Sequence, residues 1–314
     1  MRHYFAPLEG ITDNNYRLLH HKYFPGIDRY YTPFISPTIH RSFTQKEQRE
    51  LQPAQNLPFQ VVPQVLTKNA EDLLWLADHC ADIGYEELNL NLGCPSGTVT
   101  AKGKGSGALR DPESLERFLD AVYDSAPIPV SIKTRIGYAD PEEFPRLLEL
   151  FNRYPVKELT VHPRTRAAFY GGDVDMQTFS YAAANSKNPL CFNGNLCSTE
   201  RISAFEKAYP AIPAVMLGRG LIADPGMLTP GGTTPALLRQ FHDELLDSYS
   251  VLFGSSRNAM FRLKENWHYW ICRFDGGEKL YKKLRKTTDL QEYKAITQAL
   301  FDGVPFAEKL DPNW

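Results

Sequence analysis

The 314-residue chain has only five cysteines, an odd number, and no Cys-x-x-Cys pair. A disulfide framework is therefore not expected, and a reducing, cytoplasmic setting is. No apolar run approaches the roughly 18 residues of a membrane span. The first residues, Met1 to Pro7, enter a strand-like run without the shape of a signal peptide, so a soluble intracellular protein is expected. No Cys/His pair has the spacing of a zinc site, and no metal is expected. A Walker phosphate loop and a Gly-x-Gly-x-x-Gly dinucleotide fingerprint are both missing. Charge of one sign is missing too, with 35 Lys and Arg against 37 Asp and Glu. That total gives no sign of a nucleic-acid partner. What remains is an ordinary globular composition, 42% hydrophobic and 23% charged.

Eight β-rich runs recur along the chain: 3–8, 29–35, 59–66, 87–92, 129–134, 158–162, 189–193 and 214–218. Several, such as Ala214-Val215-Met216-Leu217, are apolar without alternation, as strands covered on both faces are. Helical stretches lie between them. Leu73, Leu74, Leu76, Ala77 and Cys80 recur at helical spacing before Gly84, and Asp111-Pro112-Glu113 and Asp140-Pro141-Glu142 both read as capped helix starts. Eight strand-helix units favour a closed (β/α)8 TIM barrel over a doubly wound open sheet. After Pro235 the strands stop and four helical runs follow. The expected organisation is an α/β barrel over 1–234 and an all-helical domain over 235–314, joined by the Gly/Pro-rich 229–235 segment.

Such barrels work at the C-terminal ends of their strands. Those ends here carry Pro7-Leu8-Glu9, Gln64, Asn91-Leu92-Gly93-Cys94-Pro95, Lys133-Thr134-Arg135, His162-Pro163-Arg164, Asn193-Gly194-Asn195 and Gly218-Arg219-Gly220. The last two follow the seventh and eighth strands, where barrels commonly hold a phosphate. Glycines admit backbone N–H groups to an anion, and Arg219 adds a charge. Cys94 lies in a Gly-Cys-Pro turn and is the candidate reactive thiol. Cys80, Cys191 and Cys272 lie on helix or strand and read as packing residues. The glycine-dense Lys102–Gly107 segment reads as a candidate lid.

The neutral total also hides an uneven distribution. Residues 257–286 hold nine basic and three acidic residues, while both flanking portions are net acidic. Arg262, Lys264, Trp267, His268, Tyr269 and Trp270 mix cations with aromatics, as RNA-contacting helices do. The spacing of Trp267, Trp270 and Phe274 suits a buried stripe, so those rings read as mostly core and the cations as the phosphate contacts.

Taken in order, Ala6–Asp13, Gln64, Asn89–Ser96, Ser131–Gly137, His162–Arg166, Asn193–Asn195 and Met216–Gly220 resemble the tRNA-dihydrouridine synthases. These are FMN enzymes with a (β/α)8 barrel and a C-terminal helical RNA-binding domain. The resemblance implies that Pro7, Leu8, Glu9, Gln64, Lys133 and His162 contact the flavin. It implies that Asn193, Gly194, Asn195, Gly218 and Arg219 hold the FMN phosphate, and that Cys94 gives a proton to uracil C5. Asn91 and Arg164 would hold the flipped uracil, while Arg262, Lys264, Trp267, Lys282 and Lys283 would face tRNA. NADPH is the implied reductant. Leu8, Pro163 and Asn195 depart from residues more usual in the family, and none of the three removes a catalytic group.

That assignment is chemically coherent. Reducing the C5–C6 bond of uracil needs a hydride and a proton on neighbouring carbons, and an unperturbed thiol stays protonated near neutral pH. Two other readings fit less of the chain. A dihydroorotate or dihydropyrimidine dehydrogenase would act on a free pyrimidine and need no basic helical extension. A non-catalytic tRNA-binding protein would not need Cys94, Lys133 and His162.

Overall fold

The computed structural model describes residues 1–307 and 310. Among the described residues there are nine stretches of strand: β1 (Arg2–Phe5), β2 (Arg29–Tyr31), β3 (Val61–Val62), β4 (Gln64–Val65), β5 (Leu88–Leu92), β6 (Val130–Arg135), β7 (Leu159–His162), β8 (Leu190–Asn193) and β9 (Ala214–Leu217). They form one sheet in the order β3-β2-β1-β9-β8-β7-β6-β5-β4. The pairings from β1 to β3 and from β4 to β9 are parallel.

The two ends of that order are neighbours in sequence, parted only by Pro63. Proline has no N–H to donate, so the ladder is interrupted there. Its surroundings still bond on both sides. Thr32 N–H donates to the Val62 carbonyl at 3.1 Å, and Asn89 N–H donates to the Pro63 carbonyl at 2.8 Å. β3 and β4 are therefore one strand, and the sheet closes into an eight-stranded TIM barrel. Each of the eight runs expected from sequence overlaps one strand of the barrel, with β3 and β4 both in the third run.

Packing divides the chain into two units. The first comprises Met1–Pro7, Asp28–Asn195 and Glu206–Met216 and contains the barrel. β5 alternates in residue type. Leu88, Leu90 and Leu92 of β5 are buried, and between them Asn89 and Asn91 take the other face. The register pairs Gln64 with Asn89, Asn89 with Ser131, Asn91 with Lys133 and Lys133 with Thr160. Polar side chains are thus stacked in layers inside the barrel, and apolar ones meet the helices outside. Helix Ala70–Asp82 buries four of the five apolar residues expected on its inner face, Leu73, Leu76, Ala77 and Cys80, and leaves Leu74 half-buried. Helix Pro112–Ser125 starts at an Asp111 cap with proline in its first turn. Helix Met176–Asn185 was not legible, because it buries only Phe179 and Ala182.

The second unit comprises Leu8–Ile27, Leu196–Phe205 and the chain from Leu217 onward. It therefore includes more than the helices expected after residue 234. Helices Pro235–Phe253 and Ser256–Trp270 form its centre. Between them Gly254 adopts φ +59°, a left-handed stop that favours glycine, and Ser255 caps the next helix. Helix Asn14–Tyr23, also unseen in the sequence, packs in the same unit, with Tyr16 and His20 against Phe241. Trp270 Nε1 donates to the Ile222 carbonyl at 3.0 Å, and Trp267 Nε1 donates to the Tyr293 hydroxyl at 3.0 Å. No helix among the described residues is long and apolar enough to cross a membrane.

Candidate active site

Cys94 follows the end of β5 and is half-buried. Its seat is built from both sides of its own peptide. The Asn91 side-chain oxygen accepts from the N–H of Gly93 at 3.0 Å and of Cys94 at 2.9 Å. On the other side, the Cys94 carbonyl accepts the Ser106 N–H at 3.1 Å and its hydroxyl at 2.8 Å. The expected lid over 102–107 is corrected here. Gly105, Ser106 and Gly107 are buried in a short 3-10 turn that supports the Cys94 loop instead of covering it. Glycine is needed because a Cβ on Gly105 would meet the Cys94 carbonyl at 2.9 Å and one on Gly107 the Thr100 carbonyl at 2.7 Å.

Three of the other four cysteines lie in surroundings that disfavour the thiolate. Burial pushes the Cys80 and Cys272 thiols up to about 12 and raises that of Cys191 far above its ordinary value. Among the described residues no cluster could hold a metal ion.

Gln64 and Asn91 meet beside Cys94. Asn91 Nδ2 donates to Gln64 Oε1 at 2.7 Å, and Gln64 Nε2 donates to Asn89 Oδ1 at 2.8 Å. One layer along, Lys133 Nζ donates to Asn193 Oδ1 at 2.7 Å. Asn193 Nδ2 in turn donates to the Met216 carbonyl, which orients that amide oxygen toward the lysine. Burial, with the Arg135 charge behind it, pushes the Lys133 ammonium down to about 8. His162 is buried at the end of β7, where Arg164 donates to its Nε2 at 3.0 Å. A guanidinium can only donate, so that nitrogen accepts and a neutral His162 carries its proton on Nδ1.

Arg164 also donates to the carbonyls of Gly171 and Gly172, bracing its own loop. Gly194 is closely packed, since a Cβ there would lie 2.6 Å from Val174 Cγ1. Asn195 takes φ +47°, a conformation asparagine tolerates. Arg135, fully buried, braces the loops around this site, a part that the sequence pattern did not assign to it. Its Nε donates to the Gly93 carbonyl at 2.9 Å and its Nη1 to the Thr165 carbonyl at 2.8 Å. A second cation two residues after Lys133 on one short strand was the signal that could have found it.

Pro7 ends the first segment of the barrel unit. Leu8, Glu9, Gly218 and Arg219 belong to the second unit. There Leu8 N–H donates to Thr12 Oγ1 at 2.8 Å, and Gly218 precedes helix Arg219–Ala223.

The basic stretch proves heterogeneous. Trp267 is fully buried, which corrects its assignment to RNA contact: it is a core residue. Arg262 is ion-paired with Asp13 at 2.7 Å and lies over the Tyr249 ring, and Lys264 donates to the carbonyls of Arg285 and Thr287. Lys279, Lys282, Lys283, Arg285 and Lys286 lie on helix Glu278–Lys286, where Lys282 and Lys283 are exposed.

The model of the family described as Dihydrouridine synthase (Dus) matches residues 4–300. The chain belongs to the dihydrouridine synthase family. It is 27% identical over 310 residues to the probable tRNA-dihydrouridine synthase 1 of Synechocystis sp., covering 93% of this chain and 84% of that one. It is 26% identical over 225 residues to tRNA-dihydrouridine synthase B of Pasteurella multocida, covering 71% and 67% respectively. Among solved structures, morphinone reductase shares the fold with a TM-score of 0.52 at 15% identity, covering 75% of this chain and 88% of that one. In this dihydrouridine synthase family member, Cys94, Asn91, Gln64, Lys133, His162 and Asn193 all fall at the same end of the parallel barrel strands.

Proposed function

We propose that the protein is a cytoplasmic, FMN-dependent tRNA-dihydrouridine synthase that reduces the C5–C6 double bond of a flipped-out uridine, with NADPH as reductant. The observation that carries this is the Cys94 turn, held from both sides beside Asn91 and Gln64 within a chain of this family. The residues fit a flavin mononucleotide. Gln64, Lys133 and His162 are polar groups on β4, β6 and β7, and Gly194 with the left-handed Asn195 follows β8, a place where barrels of this kind hold phosphates.

In this reading Pro7, Leu8, Glu9, Gln64, Lys133 and His162 hold the flavin ring and ribityl chain. Asn193, Gly194 and Asn195, together with Gly218 and Arg219, hold its phosphate. When bound, the flavin supplies the hydride for uracil C6. Cys94 delivers the proton to C5. The Asn91 oxygen is taken by two backbone N–H groups and one Nδ2 hydrogen by Gln64. Asn91 therefore has a donor, and not an acceptor, to offer a uracil carbonyl. Arg164 braces His162 and the loop that borders the base. The barrel portion, 1–234, carries the chemistry and the helical portion, 235–314, the RNA. Lys282 and Lys283 are the phosphate contacts, with Arg262 and Lys264 contributing through their partly exposed ends.

The test is Cys94→Ala. The purified variant is expected to keep the ~450 nm absorbance of bound FMN and to lose dihydrouridine formation on tRNA. Full turnover would remove Cys94 as the proton donor, and a colourless wild-type protein that gains no absorbance with added FMN would remove the flavin.

A further inference from the structure

The barrel interior contains a continuous chain of hydrogen bonds that ends at Cys94. Arg29 Nη1 donates to Glu87 Oε2 at 3.0 Å, and the Ser131 hydroxyl donates to Glu87 Oε1 at 2.6 Å. Asn89 Nδ2 donates to Ser131 Oγ at 2.8 Å, Gln64 Nε2 to Asn89 Oδ1 at 2.8 Å, and Asn91 Nδ2 to Gln64 Oε1 at 2.7 Å. The Asn91 oxygen then accepts the N–H groups of Gly93 and Cys94. Every one of these side chains, from Arg29 to Asn91, is buried.

The two ends permit one direction only. A carboxylate paired with an arginine can only accept, so Ser131 must donate to it. The Ser131 oxygen then accepts from Asn89, which turns the Asn89 oxygen to Gln64 and the Gln64 oxygen to Asn91. At the far end, backbone N–H groups can only donate, and they demand the Asn91 oxygen independently. Three amides, each able to flip, are therefore fixed by one carboxylate and two N–H groups. Such chains polarise and reinforce one another.

We propose that Ser131, anchored by Glu87, is a positioning residue: it ties down the far end of the chain that holds Gln64 and Asn91, and through them the seat of Cys94. The proposal rests on the reading of Cys94 as proton donor. Ser131 touches neither Cys94 nor Asn91 through any bond named above, and its influence passes through Asn89 and Gln64. Without its hydroxyl, the buried Asn89 Nδ2 loses its acceptor and the chain is tied at the Cys94 end alone, so Asn89, Gln64 and Asn91 shift and loosen the seat of Cys94.

The test compares wild type, Ser131→Ala, Ser131→Thr, Asn91→Ala and the Ser131→Ala/Asn91→Ala double variant, all loaded with FMN. Two rates are read: alkylation of Cys94 by iodoacetamide without tRNA, located by peptide mass, and single-turnover reduction of a tRNA transcript by pre-reduced enzyme. Ser131→Ala is expected to raise alkylation of Cys94 about tenfold and slow the single turnover about tenfold, the scale of one missing hydrogen bond. Cys80 stays unmodified, which separates a loosened seat from general unfolding. Ser131→Thr keeps the hydroxyl and returns both rates to within about twofold of wild type. In the Asn91→Ala background, Ser131→Ala has no further effect, because the chain is already cut.

Effects that multiply in the double variant, or wild-type rates in Ser131→Ala, overturn the proposal. So does Ser131→Thr behaving as Ser131→Ala. If Cys94→Ala retains turnover, the donor assignment fails, and the alkylation coupling still decides whether Ser131 positions this loop.

Discussion

Replacing Arg135 by methionine keeps most of the volume and removes the donors that tie two loops to the end of β6. The Nε bond to Gly93 and the Nη1 bonds to Thr165 and Phe169 disappear together, as does the guanidinium over the Tyr170 ring. Thr165 is buried, Gly93 half-buried and Phe169 exposed, so water can replace the last bond and cannot readily replace the first two. At ~1–3 kcal/mol for an acceptor left unsatisfied, the expected destabilisation is about 3 kcal/mol. Unfolding entropy of ~2.1 cal/mol/K per residue converts that to a Tm drop of roughly 5 °C for a chain of this length. Differential scanning calorimetry at pH 7 reads it directly. Arg135→Lys, which keeps a charge but reaches fewer carbonyls, should fall between the two. A Tm within about 1 °C of wild type in Arg135→Met would refute the reasoning, because it would mean that these carbonyls are satisfied without the guanidinium.

Gly107→Ala places a Cβ against the Thr100 backbone, which must move; a drop of ~1–3 kcal/mol in stability is expected together with slower turnover, measured on the same sample. Lys133 titrates near 8 in the folded protein, below its ordinary 10.5, so the native chain binds fewer protons than the unfolded one between those values. Its contribution to stability therefore rises with pH from about 8 to 10.5, and Lys133→Met should flatten the Tm–pH curve across that window. Removing the Arg135 charge should shift the start of the window upward. Lys282→Glu with Lys283→Glu should weaken tRNA binding and make its salt dependence shallower, by about 0.7–0.9 in slope for each phosphate no longer neutralised. An unchanged slope in filter binding would exclude these two lysines from the phosphate interface.

Much of the barrel was legible because its strands obey a local rule. A strand covered by helices must be apolar toward them, and Leu88, Leu90 and Leu92 or Ala214 to Leu217 announce that without any tertiary information. Helices with a wide apolar stripe or a capped start, such as Ala70–Asp82 and Pro112–Ser125, were equally plain. Helices Asn14–Tyr23 and Met176–Asn185 were not. The first buries polar Asn14, Arg17 and His20 along with Tyr16, and the second only two residues, so neither shows a hydrophobic face of 3.6-residue period. Trp267 shows the converse problem. Aromatics interleaved with cations suit both an RNA surface and a packed stripe, and only burial distinguishes them. The expected lid failed for a related reason. Glycine marks either freedom or close approach, and at Gly105 and Gly107 it marks close approach.

The order of strands and the position of Cys94, Lys133 and His162 at strand ends follow from the sequence alone, since chain order in a parallel barrel dictates which residues reach its C-terminal rim. What each of those side chains can do was decided by tertiary structure. The direction of the Gln64 and Asn91 amides depends on Glu87 and on two backbone N–H groups, the acidity of Lys133 on its enclosure beside Arg135, and the seat of Cys94 on Ser106. Each is a property of neighbours brought together by closure of the barrel. Hydrogen-bond direction and desolvation belong to pairs and cavities, and neither is written at any single position of the chain.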